Sequence, residues 1–89
     1  MKAVSTVIGK DMVGLLTKVS GVCANHNANV LEVTQSVLQD LFAMIMLVDI
    51  SKLDGDLTDL SNDMKDLGEK IGVQIHVMHE DIFNTMHRI

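Results

Sequence analysis

The ten residues from Leu41 to Ile50 constrain the fold more than any other segment of this chain. In an extended conformation Leu41, Ala43, Ile45 and Leu47 line one face, while Phe42, Met44, Met46, Val48 and Ile50 line the other. Side chains alternate across a strand, so a strand that is apolar on both faces needs cover on both. The segment therefore belongs in the middle of a sheet. One layer of cover can come from helices of the same chain. The other face needs a second source, and a second copy of the chain is the simplest.

The remaining segments supply what such a sheet needs. Ala3 to Ile8 is an apolar strand-like run that ends at Gly9, where a left-handed backbone would cost little. A first helix follows from Met12 to about His26, with Leu15, Leu16, Val19, Val22 and Cys23 repeating near 3.6 residues and Asp11 as its N-cap. Asn27 is suited to a left-handed C-cap. Val30 to Leu38 reads as a strand with Leu31, Val33 and Val37 on one face and Glu32, Thr34 and Ser36 on the other. Gln39-Asp40 is then a hairpin tip. After the turn Asp54-Gly55-Asp56, a second helix carries the stripe Leu57, Leu60, Met64, Leu67 and Ile71. Its start is acidic and its end is basic, as the helix dipole favours. Gly68 weakens it by about 1 kcal/mol relative to alanine, and Gly72 stops it. Val73, Ile75 and Val77 form a last alternating strand. The order β-α-β-β-α-β predicts an α+β, ferredoxin-like sandwich: a four-stranded antiparallel sheet with two helices on one face and the first and third strands central. Residues 1–79 make this domain. Residues 80–89 make an amphipathic tail helix with Ile82, Phe83, Met86 and Ile89 on one side.

Composition excludes several function classes. The 89 residues carry a net charge of −5, and the seven basic residues form no block, so nucleic acid and anionic membrane surfaces are poor partners. Base-stacking sheets need aromatics on the central strands. The chain has no Tyr or Trp, and Phe42 is the one aromatic in those two strands. The single cysteine forms no internal disulfide, and no stretch is built like a signal peptide or membrane helix, which places the protein in the cytoplasm. At 47% hydrophobic residues, the chain has apolar surface to spare for an interface.

Catalytic chemistry finds no foothold. Cys23 lies mid-helix without a second cysteine and reads as a small core residue. His76 and His79 point to opposite faces of a strand, and His26 and His87 lie elsewhere, so no metal ligand set forms. Asp54, Asp56, Asp59 and Asp63 gather at a helix start without the spacing of a calcium loop. Hydrolysis of acyl phosphates would need an arginine in the first loop, and the one arginine is Arg88. No nucleophile, base and orienting group line up, so neither an enzyme nor a bound cofactor or metal is expected.

The corner Gly9-Lys10-Asp11-Met12-Val13-Gly14-Leu15, followed by Val19-Ser20-Gly21-Val22 and then Asn29-Val30, resembles the ACT domain family. That family's pattern is a strand, Gly-x-Asp-x-x-Gly-Ile/Leu, a helix and an Asn-Ile-like start to the second strand. The resemblance runs from Lys2 to about Met78 and extends to Gln35-Ser36. The chain is similar to small stand-alone ACT proteins and to one half of the two-domain glycine-cleavage repressor type. It departs from the family where Val13 replaces a common proline.

The resemblance implies a regulatory module that binds a small molecule, typically an amino acid, at an interface between domains, and that acts on an enzyme or regulator. Carried onto this sequence, the ligand-binding residues are Asp11, Met12, Val13, Gly14, Leu15 and Asn29, with Val30 and Leu31 as a supporting wall. Free N–H groups at a helix start suit a carboxylate, and Asp11 or Asn29 can accept from an ammonium group. The expected oligomer interface is Phe42, Met44, Met46 and Val48 on the sheet, with Ile82, Phe83 and Met86 on the tail. A ligand-free module docking through that sheet face or tail is the alternative.

Overall fold

The computed structural model describes residues 1–10 and 14–86. Its elements run β1 (Lys2–Gly9), α1 (Leu15–Asn25), β2 (Asn29–Leu38), β3 (Leu41–Asp49), α2 (Leu57–Ile71), β4 (Gln74–His79) and α3 (Glu80–Met86). The sheet order is β2-β3-β1-β4, with antiparallel pairing throughout. The strand that is apolar on both faces is central, and β1 lies beside it. This is the ferredoxin-like plan that the pattern predicts.

Local chemistry sets the element ends. Asp56 accepts from the Asp59 amide at 3.0 Å while the Asp59 carboxylate accepts from the Asp56 amide at 3.2 Å, a reciprocal cap that starts α2. Asn27 adopts φ 59°, and its amide Nδ2 donates to the Lys52 carbonyl at 2.8 Å, fastening the end of α1 to the loop after β3. The hairpin tip holds Gln39 at φ 58°. The first helix starts later than its sequence implies. Gly14, at φ 70°, occupies the N-cap position, with no side-chain cap, and Leu15 is the first helical residue. Asp11, the expected cap, lies outside the described residues.

The core lies between sheet and helices. Met44, Met46 and Val48 of β3 pack there with Val7 of β1, Val19 and Cys23 of α1, and Leu60 and Met64 of α2. Met44, Met46 and Met64 are fully buried, and each such side chain stabilises the fold by about 1.5–3 kcal/mol. This corrects one sequence expectation. The sequence puts Phe42, Met44, Met46 and Val48 at an oligomer interface, yet they face the helices and are already covered by their own chain. The open face of β3 carries Leu41, Ala43, Ile45 and Leu47 instead, of which Leu41 and Ile45 are about two-fifths exposed, at 42% and 40%. Periodicity could not choose between two apolar faces.

Close packing explains two glycines. A Cβ on Gly9 would collide with the Val73 side chain. Gly9 is not in a left-handed conformation, so closeness to the β4 lead-in, rather than a sharp strand exit, requires it. A Cβ on Gly68 would lie 2.7 Å from the Val73 carbonyl oxygen. The first contact lets the lead-in to β4 press against the strand–helix corner, and the second lets α2 press against β4.

Candidate ligand site

The corner where β1 meets α1 lies at one end of the sheet. Its described residues are Gly9, Lys10, Gly14 and Leu15. The Gly14 conformation turns the chain into α1, and its carbonyl accepts from the Lys18 amide at 3.0 Å. No acidic residue occupies the first turn of α1, and Gly14 at the N-cap brings no side chain of its own to cap it. Amide groups at such an end carry a partial positive charge that favours a carboxylate. Leu15 is 3% exposed and anchors the corner in the core, so only its backbone is available to a ligand. Asp11, Met12 and Val13 lie outside the described residues.

Asn29, Val30 and Leu31 lie at the other end. Asn29 pairs with Asp49, and Asp49 in turn pairs with Lys2, the first residue of β1. Gly9 pairs with Phe42, beside the β2–β3 hairpin. Seven residues of strand therefore separate the corner from Asn29, roughly 23 Å at strand rise. Within one chain the two halves of the expected site do not meet. Around Asn29 a polar cavity of about 340 Å³ is lined by Asn27, Asn29, Asp49, Ser51 and Lys52. Asp49 accepts from the Ser51 amide at 2.9 Å and its hydroxyl at 2.7 Å, and these bonds hold its carboxyl below the usual carboxylate range. Leu31 occupies a register shift between Val30 and Glu32 and is 42% exposed. Such a bulge re-aims an edge strand.

Cys23 is fully buried, and burial pushes its thiol up to about 11, which leaves it inert at neutral pH. Among the described residues no three His, Cys, Asp or Glu side chains come together as a metal site. No helix among them is long and apolar enough to cross a membrane. Phe42 is buried against the helices and offers no platform for a base.

A family model for the ACT domain matches residues 3–78. The chain belongs to the ACT domain family. The ACT match takes in all four strands and the first two helices, and it ends just before α3. The UPF0237 protein of Methanopyrus kandleri is 47% identical over 88 residues, which cover 99% of this chain and 98% of that one. The solved ACT domain protein of Streptococcus pneumoniae is 36% identical, with a TM-score of 0.81 over 93% of each chain. A glycine cleavage system transcriptional repressor shares the fold at 18% identity, with a TM-score of 0.69 over 85% of this chain and 43% of its own. ACT domains are generally regulatory and bind ligands, often amino acids.

The expected interface residues on the tail divide in the structure. Ile82 and Met86 are 56% and 65% exposed, while Phe83 is half-buried. Helix α3 packs across β1 and β4 on the helix-free face, and Val4, on that face, is buried to 4% exposure. A groove beside α3 escaped the sequence reading. Its signal was present in the alternation of Thr6 with Ile8 and of His76 with Met78 on the opposite face from the core.

Proposed function

We propose that this ACT protein is a regulatory sensor of a small amino acid, built as a homo-oligomer in the cytoplasm and acting on an enzyme or regulator by contact rather than by catalysis. The single observation that carries the reading is the separation of the corner at Gly14 from Asn29. Two halves of one site at opposite ends of a sheet can converge only when they come from two copies.

The edge strand β2 supplies a way to bring them together. It is ten residues long, its outer edge pairs with no other described strand, and Val33 and Val37 on its helix side are exposed. An unpaired edge of this length is a template for pairing with another chain. If two β2 strands pair antiparallel, Asn29 and Leu31 of one copy come beside the hairpin end of the other, on the side of the sheet that holds the Gly14 corner. The α1 amides then hold the ligand carboxylate, and the Asn29 side-chain oxygen accepts from its ammonium group.

A panel of the common amino acids, read by thermal unfolding, tests the reading. A ligand at 100 times its Kd adds about 2.7 kcal/mol of stability by mass action. One or a few amino acids raise Tm by several degrees, and Gly14→Val removes the rise. A flat response to every amino acid contradicts the proposal. In that case the exposed Ile45, Ile82 and Met86 favour the second reading, a ligand-free module that docks on a partner protein.

A further inference from the structure

We infer that the groove between α3 and the open face of the sheet is a second binding site, for a small amphipathic molecule with an apolar body and a hydrogen-bond-accepting head. The cavity measures about 480 Å³, within the roughly 300–1,000 Å³ of small-molecule pockets. Its floor is Ile8, Ala43 and Ile45, and its wall is Met78, Phe83 and Met86. Thioether side chains adapt to the shape of an apolar guest. Thr6 and His76 are direct partners across the β1–β4 pair and so present their side chains together on this face. Neither makes a side-chain hydrogen bond to another described residue. A hydroxyl and an imidazole N–H side by side can both donate to one carbonyl or carboxylate oxygen.

The size of the apolar strip argues for a small molecule rather than a second copy of the chain. On this face β2 contributes Glu32, Thr34 and Ser36, the residues that pair with the open-face positions of β3. Helix α3 already crosses β1 and β4. What remains apolar is about two strands wide and seven residues long, roughly 230 Å² from strand spacing and rise. A stable interface buries about 800 Å² from each partner, of which about 450–500 Å² is apolar, roughly twice this strip. A slim acyl chain or aromatic ring fills the strip, whereas a protein surface would meet a polar margin.

The test is a titration of the isotopically labelled full chain with octanoate, followed by NMR. Saturable shifts confined to the backbone and methyl signals of Thr6, Ala43, Ile45, His76 and Met78 are expected. Ala43→Phe, which fills the floor, and Ile45→Glu, which charges an exposed position, each weaken binding at least tenfold. His76→Leu keeps the groove and weakens octanoate several-fold through its head. Absent shifts, or shifts scattered over other faces, overturn the inference. So does a wild-type dimer that ignores octanoate and becomes a monomer with Ile45→Glu, because a second copy then covers the groove. An excess of any amino acid that raises Tm in the panel leaves octanoate binding unchanged, so each site stands or fails alone.

Discussion

His26 Nε2 lies 2.6 Å from Asp63 Oδ2, joining the C-terminal end of α1 to the middle of α2 across 37 residues of sequence. The imidazole is only 13% exposed while the carboxylate is 58% exposed, so one partner is fixed and the other is partly solvated. The pair ties α1 to α2 beside the core that Val19, Cys23, Leu60 and Met64 build. The His26 backbone also takes part, because its carbonyl accepts from the Asp54 amide at 2.9 Å.

His26→Ala therefore loosens the helix layer. A hydrogen bond to a charged group contributes about 1.5 kcal/mol and is weakened here by solvent on Asp63. The expected loss is about 1 kcal/mol, or about 4–8 °C in Tm for a domain of this size. Asp63→Ala gives a similar loss, and the double variant loses little more than either single one. Additive losses in that cycle would show that the two side chains do not interact.

Ser5 offers a stabilising change. Its hydroxyl is buried in the sheet between Met46 and Val77, with no hydrogen-bond partner among the described residues. An unsatisfied buried hydroxyl costs about 1–3 kcal/mol. Ser5→Ala removes that cost and leaves only a small void, so urea unfolding should show a midpoint shifted upward by about 1 kcal/mol of stability. A lower midpoint would mean that Ser5 holds a buried partner such as a water.

Gly68→Ala should destabilise, against helix propensity. Alanine favours the helix by about 1 kcal/mol, yet its Cβ meets the Val73 carbonyl oxygen at 2.7 Å. Overpacking against backbone costs about 1–3 kcal/mol, so the net change is a loss of about 1 kcal/mol in thermal or urea unfolding. A gain would show that α2 moves off β4 freely.

Cys23 couples stability to alkaline pH. Its thiol titrates near 9 when unfolded and is pushed up to about 11 in the fold by burial. The folded state thus keeps a proton that the unfolded chain releases. The Cys23 contribution is fully present below pH 9 and is lost between pH 9 and pH 11, by up to about 2–3 kcal/mol. Cys23→Ala abolishes that slope. Thiol reagents at pH 8 should label the native protein only as fast as it opens.

Much of this architecture was legible in the sequence, because the two-sided apolar run from Leu41 and the helical stripes of Leu57 to Ile71 leave few alternatives. Even the position of Asn29 was available: a strand, a returning helix and a second strand put the starts of β1 and β2 at the same end, away from Gly14. The side of β3 that meets the helices was not legible, since Met44 and Ile45 are both apolar and the facing is set by the pairing register against β1 and β2. The roles of Gly9 and Gly68 were hidden for a related reason. Each is set by contact with Val73, a neighbour in space and not in sequence. The groove under α3 was missed because its residues come from β1, β3, β4 and α3, none of which shows a site alone.

The central claim is that one ligand site is assembled from the corner of one copy and Asn29 of another. It is tested most directly by mixing two defective variants, Gly14→Val and Asn29→Ala, in the presence of the amino acid that stabilises the wild type. Each variant alone should bind nothing measurable by calorimetry. After exchange of subunits, the mixture should regain about one site for every four chains, because half the dimers are mixed and each holds one intact site. A mixture that binds no better than its parents would contradict the account, as would a wild type that binds while remaining a monomer.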